Sequence, residues 1–252
     1  MNRANKKYNA IAIIPARYSS SRFPGKPLAL IAGKTLLQRT YEQAIQCKVL
    51  SRILIATDDQ RIFDHATSFG AEVVMTPTDC PTGSDRLAYV LKQYPELQQA
   101  DIIVNVQGDE PCIDPNAIEK LVAILSSDQE AVMSTACFPL TCPHEVSNPN
   151  TVKCIFDRNH NALYFSRGLL PSGRSEKYCP NTPYYKHVGL YAYRPDFLLK
   201  YGTLPMTPLQ IAEDLEQLKV LEHGYKIKVT IINKVGPDVN TPEDLIKVEQ
   251  AL

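Results

Sequence analysis

The sequence lacks several features that would assign it to a class at once. No apolar run reaches the roughly 18 residues needed to cross a bilayer. The opening "MNRANKKYNA" is polar, and the apolar run behind it is too short for a secretory leader. No C-x-x-C pair occurs among Cys47, Cys80, Cys112, Cys137, Cys142, Cys154 and Cys179, which argues against a structural zinc site. Net charge is missing too. Acidic and basic side chains balance at 27 each, so a general nucleic-acid or membrane-surface binder is disfavoured and local patches carry the electrostatics. Two familiar phosphate signatures are absent. There is no G-x-G-x-x-G, and "SSRFPGKP" has Ser20 at the first glycine position of a P-loop and Pro27 in place of its magnesium-binding hydroxyl. These absences leave a cytoplasmic enzyme or binding protein as the expectation. "CFPLTCPH" (Cys137 to His144) gathers two thiols and an imidazole, where reduced cysteines are the simpler reading and a bound metal the alternative.

What is present begins with "IIPARYSSSRFPGKPL" (Ile13–Leu28). The run "AIAII" (Ala10–Ile14) has the composition of a strand buried on both faces, and Pro15 is expected to end it. Pro15, Pro24 and Pro27 lack amide donors, Gly25 permits a tight turn, and three serines favour loop geometry. Arg17, Arg22 and Lys26 therefore sit on a basic loop at the end of a central strand. Open parallel sheets bind ligands beyond the carboxyl ends of their strands, so an anion, phosphate first, is the expected occupant. A solvated basic loop is the plainer alternative.

Strand-like and helix-like pieces alternate through the first half. "TLLQRTYEQAIQC" (Thr35–Cys47) places Leu37, Thr40, Tyr41, Ala44 and Ile45 along one helical face. "RILIAT", "AEVVM", "DIIVNVQ" and "AVMSTACF" read as strands, with helices at Gln60–Phe69, Ser84–Tyr94 and Asp114–Ser127 between them. Asp114 is an N-cap with Pro115 at the first helical position. Repeated βα units imply an α/β fold, a mostly parallel sheet flanked by helices, in one domain over residues 1–252. From about 138 to 193 the rhythm becomes β-rich, with a hairpin at Lys153–Arg167, and reads as an insertion that covers a ligand or pairs with another subunit. A helix at Pro208–Gly224, a strand at Lys226–Ile232 and a helix from Pro242 close the chain.

Three further stretches carry chemistry. "NVQGDEP" (Asn105–Pro111) puts Asp109 and Glu110 beside Gly108 at a strand's carboxyl end. That suits a magnesium–nucleotide site, since Mg²⁺ takes one or two carboxylates plus phosphate oxygens, and it equally suits a polar turn. "TGSDRL" (Thr82–Leu87) offers free amides, hydroxyls and Arg86 to a base or phosphate, or simply Ser84 as an N-cap. "EDLEQLKVL" (Glu213–Leu221) spaces Glu213 and Gln217 four apart on one helical face, fit to grip a polyhydroxylated ligand or to face solvent.

Together with "ALYFSR", "YYKHVGLYAYR" and "VNTPEDL", these stretches resemble, in order and over nearly the whole chain, the 3-deoxy-manno-octulosonate (Kdo) cytidylyltransferases. The resemblance implies a Rossmann-like nucleotidyltransferase fold with a small β-rich dimerisation insertion, and the reaction CTP + Kdo → CMP-Kdo + diphosphate for lipopolysaccharide biosynthesis. It implies that Pro15, Ala16, Arg17, Arg22 and Lys26 hold the triphosphate, and that Ser84, Arg86 and Gln107 surround the base and ribose. Arg17, Lys26 and Asp109 would carry catalysis. Arg167, His187, Tyr191, Glu213 and Gln217 would form the sugar pocket, with Arg167 partnering the Kdo carboxylate. Mg²⁺ is the implied cofactor and a homodimer the implied assembly, with no nucleic acid and no membrane insertion. One departure stands out. The family usually reads V-D-T-P-E-D-L, and its first Asp is a magnesium ligand beside Asp109. Here Asn240 takes that place, with Asp238 two residues earlier and able, in an extended segment, to restore the charge. Relatives acting on 8-amino-Kdo or a sialic acid, or a non-catalytic nucleotide-sugar binder, are the alternatives.

Overall fold

In the computed structural model, which describes residues 8–19, 23–174, 178–237, 239 and 241–251, strand β1 (Ala10–Ala16) lies in the interior of the sheet. Ile11, Ile13 and Ile14 are buried, each worth about 1.5–3 kcal/mol relative to exposure. Contrary to expectation, Pro15 does not end the strand. It stays in parallel register with Ala56, and the physical reason lies in the neighbouring strand. The Ile13 carbonyl accepts from Val106 N, so odd-numbered positions turn their polar groups toward that side. Pairing there stops at Ile13–Asn105. A proline two residues on therefore forfeits no ladder bond.

After a 3-10 turn at Lys26–Leu28 and the two-residue strands β2 (Leu30–Ile31) and β3 (Lys34–Thr35), the chain alternates. Helix α1 (Leu36–Ile45), β4 (Leu50–Thr57), α2 (Gln60–Ser68), β5 (Glu72–Met75), α3 (Gly83–Gln93) and β6 (Ile102–Asn105) follow. Then come α4 (Pro115–Ser126), capped by Asp114, and β7 (Ala131–Leu140). Next are the short α5 (Pro143–Ser147), the hairpin of β8 (Lys153–Phe156) and β9 (Ala162–Ser166), and the long β10 (Tyr184–Tyr193). Helices α6 (Pro195–Tyr201), α7 (Pro208–Glu213) and α8 (Glu216–Glu222), strand β11 (Lys226–Ile231) and α9 (Asp244–Ala251) complete the fold. In α1, Ile45 is exposed rather than buried, because it stands at the edge of the stripe that Leu37, Thr40 and Ala44 define.

The main sheet has the order β11-β7-β10-β6-β1-β4-β5, with β8 paired to β10 and β9 to β8. Its neighbours are parallel except where β10 runs antiparallel between β6 and β7. Thus β10 belongs to the main sheet and carries the hairpin on its edge. Side chains of α1, α2 and α4 pack on one face of the sheet and those of α3, α6 and α8 on the other. Strand order reverses between β1 and β6, where a crevice opens at their carboxyl ends.

That crevice depends on a close backbone approach. A Cβ on Gly108 would stand 2.8 Å from the Pro15 carbonyl oxygen and 3.6 Å from Ile14 Cγ2. Backbone cannot rotate away as a flexible side chain can. Gly108→Ala is expected to destabilise the fold by about 1–3 kcal/mol in chemical denaturation, and an unchanged unfolding midpoint would contradict this account of the crevice.

Candidate active site

The basic loop is shaped by Gly25, whose φ of +72° belongs to the left-handed region and whose amide donates to the Tyr18 carbonyl at 2.9 Å. The Tyr18 ring packs against Gly25 and lies under the Arg61 guanidinium, 3.4 Å from the ring centroid. This fixes the 3-10 turn and aims Lys26 across the crevice. Lys26 Nζ donates to Asp109 Oδ2 at 2.6 Å and to the Val239 carbonyl at 2.9 Å. One ammonium so joins the loop after β1, the loop after β6 and the segment before α9. Both partners keep some exposure, 15% for Lys26 and 32% for Asp109, leaving them open to a ligand. Arg17, the residue after β1, is exposed. Arg22, Asp238 and Asn240 lie outside the described residues.

On the α3 side, Gly83, Pro15, Asn105 and Gln107 meet. A Cβ on Gly83 would stand 3.4 Å from Pro15 Cγ and 3.8 Å from Gln107 Oε1, so the glycine keeps this corner narrow but open. The cap of α3 is Thr82 in a capping box with Asp85, not Ser84. Ser84 is buried and shares a 2.7 Å hydrogen bond with the Tyr193 hydroxyl. Arg86 is buried too, donating to Asp58 Oδ2 at 2.8 Å and to Thr76. These two side chains are committed to the fold, whereas Gln107 remains half-buried at the crevice.

A cavity of about 300 Å³ adjoins this corner. Its walls include His187, Tyr191 and Gln217, together with Glu110, next in sequence to Asp109. The expected helix over 208–224 is broken. Asp214 adopts left-handed backbone (φ 52°, ψ 51°) and Leu215 is extended, so Glu213 and Gln217 belong to different helices rather than one face. Leu215 turns inward and is buried as a result. The break is held by Arg167, whose Nε donates to the Glu213 carbonyl at 2.7 Å and whose Nη2 donates to the Asp214 carbonyl at 3.3 Å, capping the carbonyls that end α7. In return the Glu213 carboxylate accepts from Ser166 Oγ at 2.6 Å and Arg167 N at 2.8 Å. Arg167 and Glu213 thus form a clasp behind the cavity and are not among the residues that line it.

Within the cavity, Tyr191 donates to Gln217 Oε1 at 3.3 Å. Gln217 Nε2 is buried without a partner among the described residues, a donor fit for a sugar hydroxyl. His187 shares a 2.9 Å hydrogen bond between Nε2 and Thr135 Oγ1 and meets the Phe165 ring edge-on. Burial, reinforced by the Lys186 charge, pulls its pKa down to about 3, so the imidazole is neutral. Burial likewise pushes the Tyr191 phenol up and raises Glu216, which lines the cavity against the cap residues of α3. Sequence reasoning missed Glu216 and Lys186, although each adjoins a residue it chose.

The donor set suits a hard divalent cation. Asp109 offers an accessible carboxylate with one oxygen on Lys26, and among the described residues no three His, Cys, Asp or Glu side chains gather to hold a metal. One carboxylate with substrate phosphate oxygens is a magnesium arrangement and not a zinc one. Cys137 is buried in β7 whereas Cys142 is exposed at the start of α5.

Residues 11–227 match the family described as cytidylyltransferase. A 3-deoxy-manno-octulosonate cytidylyltransferase of Protochlamydia amoebophila is 54% identical over 252 residues, spanning 100% of this chain and 97% of the relative. One of Chlamydia trachomatis serovar A is 48% identical over 243 residues, covering 96% and 93%. The solved structure of a CMP:2-keto-3-deoxy-manno-octonic acid synthetase complexed with CTP superimposes with a TM-score of 0.90 at 40% identity, covering 96% of this chain and 98% of that one. A cytidylyltransferase from Leptospira borgpetersenii, 18% identical with a TM-score of 0.61, shares the fold. With its basic loop and cavity on the nucleotidyltransferase sheet, this chain belongs to the 3-deoxy-manno-octulosonate cytidylyltransferase family.

Proposed function

We propose that the protein transfers the cytidylyl group of CTP to Kdo, yielding CMP-Kdo and diphosphate for lipopolysaccharide biosynthesis in the cytoplasm. The observation that carries this reading is the junction of the two subsites. Glu110 lines the sugar-sized cavity, and its neighbour Asp109 holds Lys26 at 2.6 Å in the phosphate corner. A nucleophile in the cavity therefore lies next to the triphosphate.

The chemistry needs one displacement. The anomeric 2-hydroxyl of Kdo forms a bond to the α-phosphorus as the bond to the bridging oxygen of diphosphate breaks, and the hydroxyl proton passes to solvent. Arg17 and Lys26 take up charge that grows on the phosphate oxygens. Tyr191, Gln217 and neutral His187 orient the sugar, which converts an encounter into an aligned attack. Arg167 and Glu213 shape that wall through the break between α7 and α8. Mg²⁺, which Asp109 and the segment at Asp238 and Asn240 would hold, supplies electrostatic stabilisation of the triphosphate. The assembly we propose is a homodimer formed through the β-rich part. Support comes from β9, which among the described residues is paired along its length with β8 and exposes Leu163, and from exposed Leu209 and Ile211 on α7.

Diphosphate release from CTP and Mg²⁺ should require Kdo, with 8-amino-Kdo and sialic acid as competing acceptors. Preference for either competitor would replace the acceptor in this reading, and release with none of them would overturn the reaction. Lys26→Ala is expected to lower kcat by about a hundredfold or more. Its melting temperature should barely move, because a partly exposed pair contributes about 1 kcal/mol or less. Asp109→Asn should raise the Mg²⁺ concentration needed for half-maximal rate, and identical titrations would remove Asp109 from the metal site.

His187 supplies a test in stability. Its folded pKa of about 3 lies below the ordinary 6.5, so the unfolded chain binds the extra proton between those values. The contribution is complete above the ordinary value and is lost as pH falls through the window. Between about pH 7 and about pH 5 the wild type should lose more stability than His187→Gln, which keeps a partner for Thr135 without titrating. Parallel losses in the two proteins would show that His187 does not titrate this way.

A further inference from the structure

We infer that Lys186 provides the cation that receives the carboxylate of the sugar acid, and so selects an acid over a neutral sugar. The inference rests on the proposed reaction and assigns a role within that site. Among the described residues four charged side chains line the cavity, namely Glu110, Asp214, Glu216 and Lys186, and Lys186 is the cation among them. The acids can serve a polyol by accepting from its hydroxyls, but they repel a carboxylate. Only the ammonium attracts it.

Two nearby basic groups are engaged elsewhere. Arg167 donates from Nε and Nη2 to the carbonyls of Glu213 and Asp214, stands 3.8 Å from the Asp214 carboxylate, and is not among the residues that line the cavity. Lys153 stands directly opposite Lys186 in the β8–β10 register, fully buried. Its Nζ donates to the carbonyls of Asn148 at 3.0 Å, Thr151 at 2.6 Å and Arg167 at 2.6 Å. The Lys186 ammonium, by contrast, has no hydrogen-bond or ion-pair partner among the described residues. Its field already reaches the cavity wall, where it helps to keep the His187 imidazole neutral. A neutral His187 brings no charge to a carboxylate, which leaves charge pairing to Lys186.

The test is initial-rate kinetics of diphosphate release, varying Kdo and CTP separately, for wild type, Lys186→Met, Lys186→Gln and Lys186→Arg. Lys186 is half-buried at the rim, so the melting temperatures should agree. Both neutral variants should raise KM for Kdo about tenfold or more, equivalent to about 1.4 kcal/mol. KM for CTP should stay within about twofold, and Lys186→Arg should recover most of the loss. A wild-type KM for Kdo in both neutral variants would overturn the assignment while leaving the reaction intact. Equal rises for both substrates would do the same, since they would mark a structural role. A wild type that releases no diphosphate with Kdo would overturn the reaction and this assignment together.

Discussion

The contact between Lys26 and Asp109 organises the crevice at the carboxyl ends of β1 and β6. It closes three loops that approach from distant parts of the chain, at 2.6 Å to the carboxylate and 2.9 Å to the Val239 carbonyl. Each half of the pair is complementary to what the proposed reaction brings, an anion for the ammonium and a cation for the carboxylate. The pair is not a stability device, because partly exposed ion pairs contribute little. Its value is positional. The glycine turn at Gly25, the Tyr18–Arg61 stack and the close backbone approach at Gly108 all bear on where this contact sits.

The neighbouring cavity works by a different physics. Its groups are buried, and burial decides their charge. His187 is held neutral, and burial raises Glu216 from its ordinary value. The neutral, fixed groups of His187, Tyr191 and Gln217 are suited to orienting a polyol beside the proposed phosphate corner. The clasp of Arg167 and Glu213 serves the same end from behind, because capping the end of α7 sets the turn at Asp214 that delivers Gln217 to the cavity.

Much of this was legible in the sequence, and the exceptions have physical causes. The βα alternation, the Asp114 cap and the position of "NVQGDEP" follow from periodicity and end signals, which are local. Pro15 was misread because whether a proline costs a ladder bond depends on where the neighbouring strand stops pairing, a non-local fact. The helix break at Asp214 has no glycine or proline to announce it, and arises from carbonyl capping by a residue 47 positions away. Ser84 and Arg86 look like ligand-binding groups in sequence, yet each found a buried partner in the fold. Lys186 was invisible for the opposite reason. A lysine without a partner is recognised only when every other cation near it has one.

The central claim is that one site holds both substrates so that the sugar hydroxyl attacks phosphorus directly. The measurement that tests it most directly is the stereochemical course at the α-phosphorus, using CTP made chiral by a sulfur substituent there and Kdo as acceptor. A single in-line displacement predicts inversion of configuration in the CMP-Kdo formed. Retention would require a covalent cytidylyl-enzyme intermediate and would contradict the account.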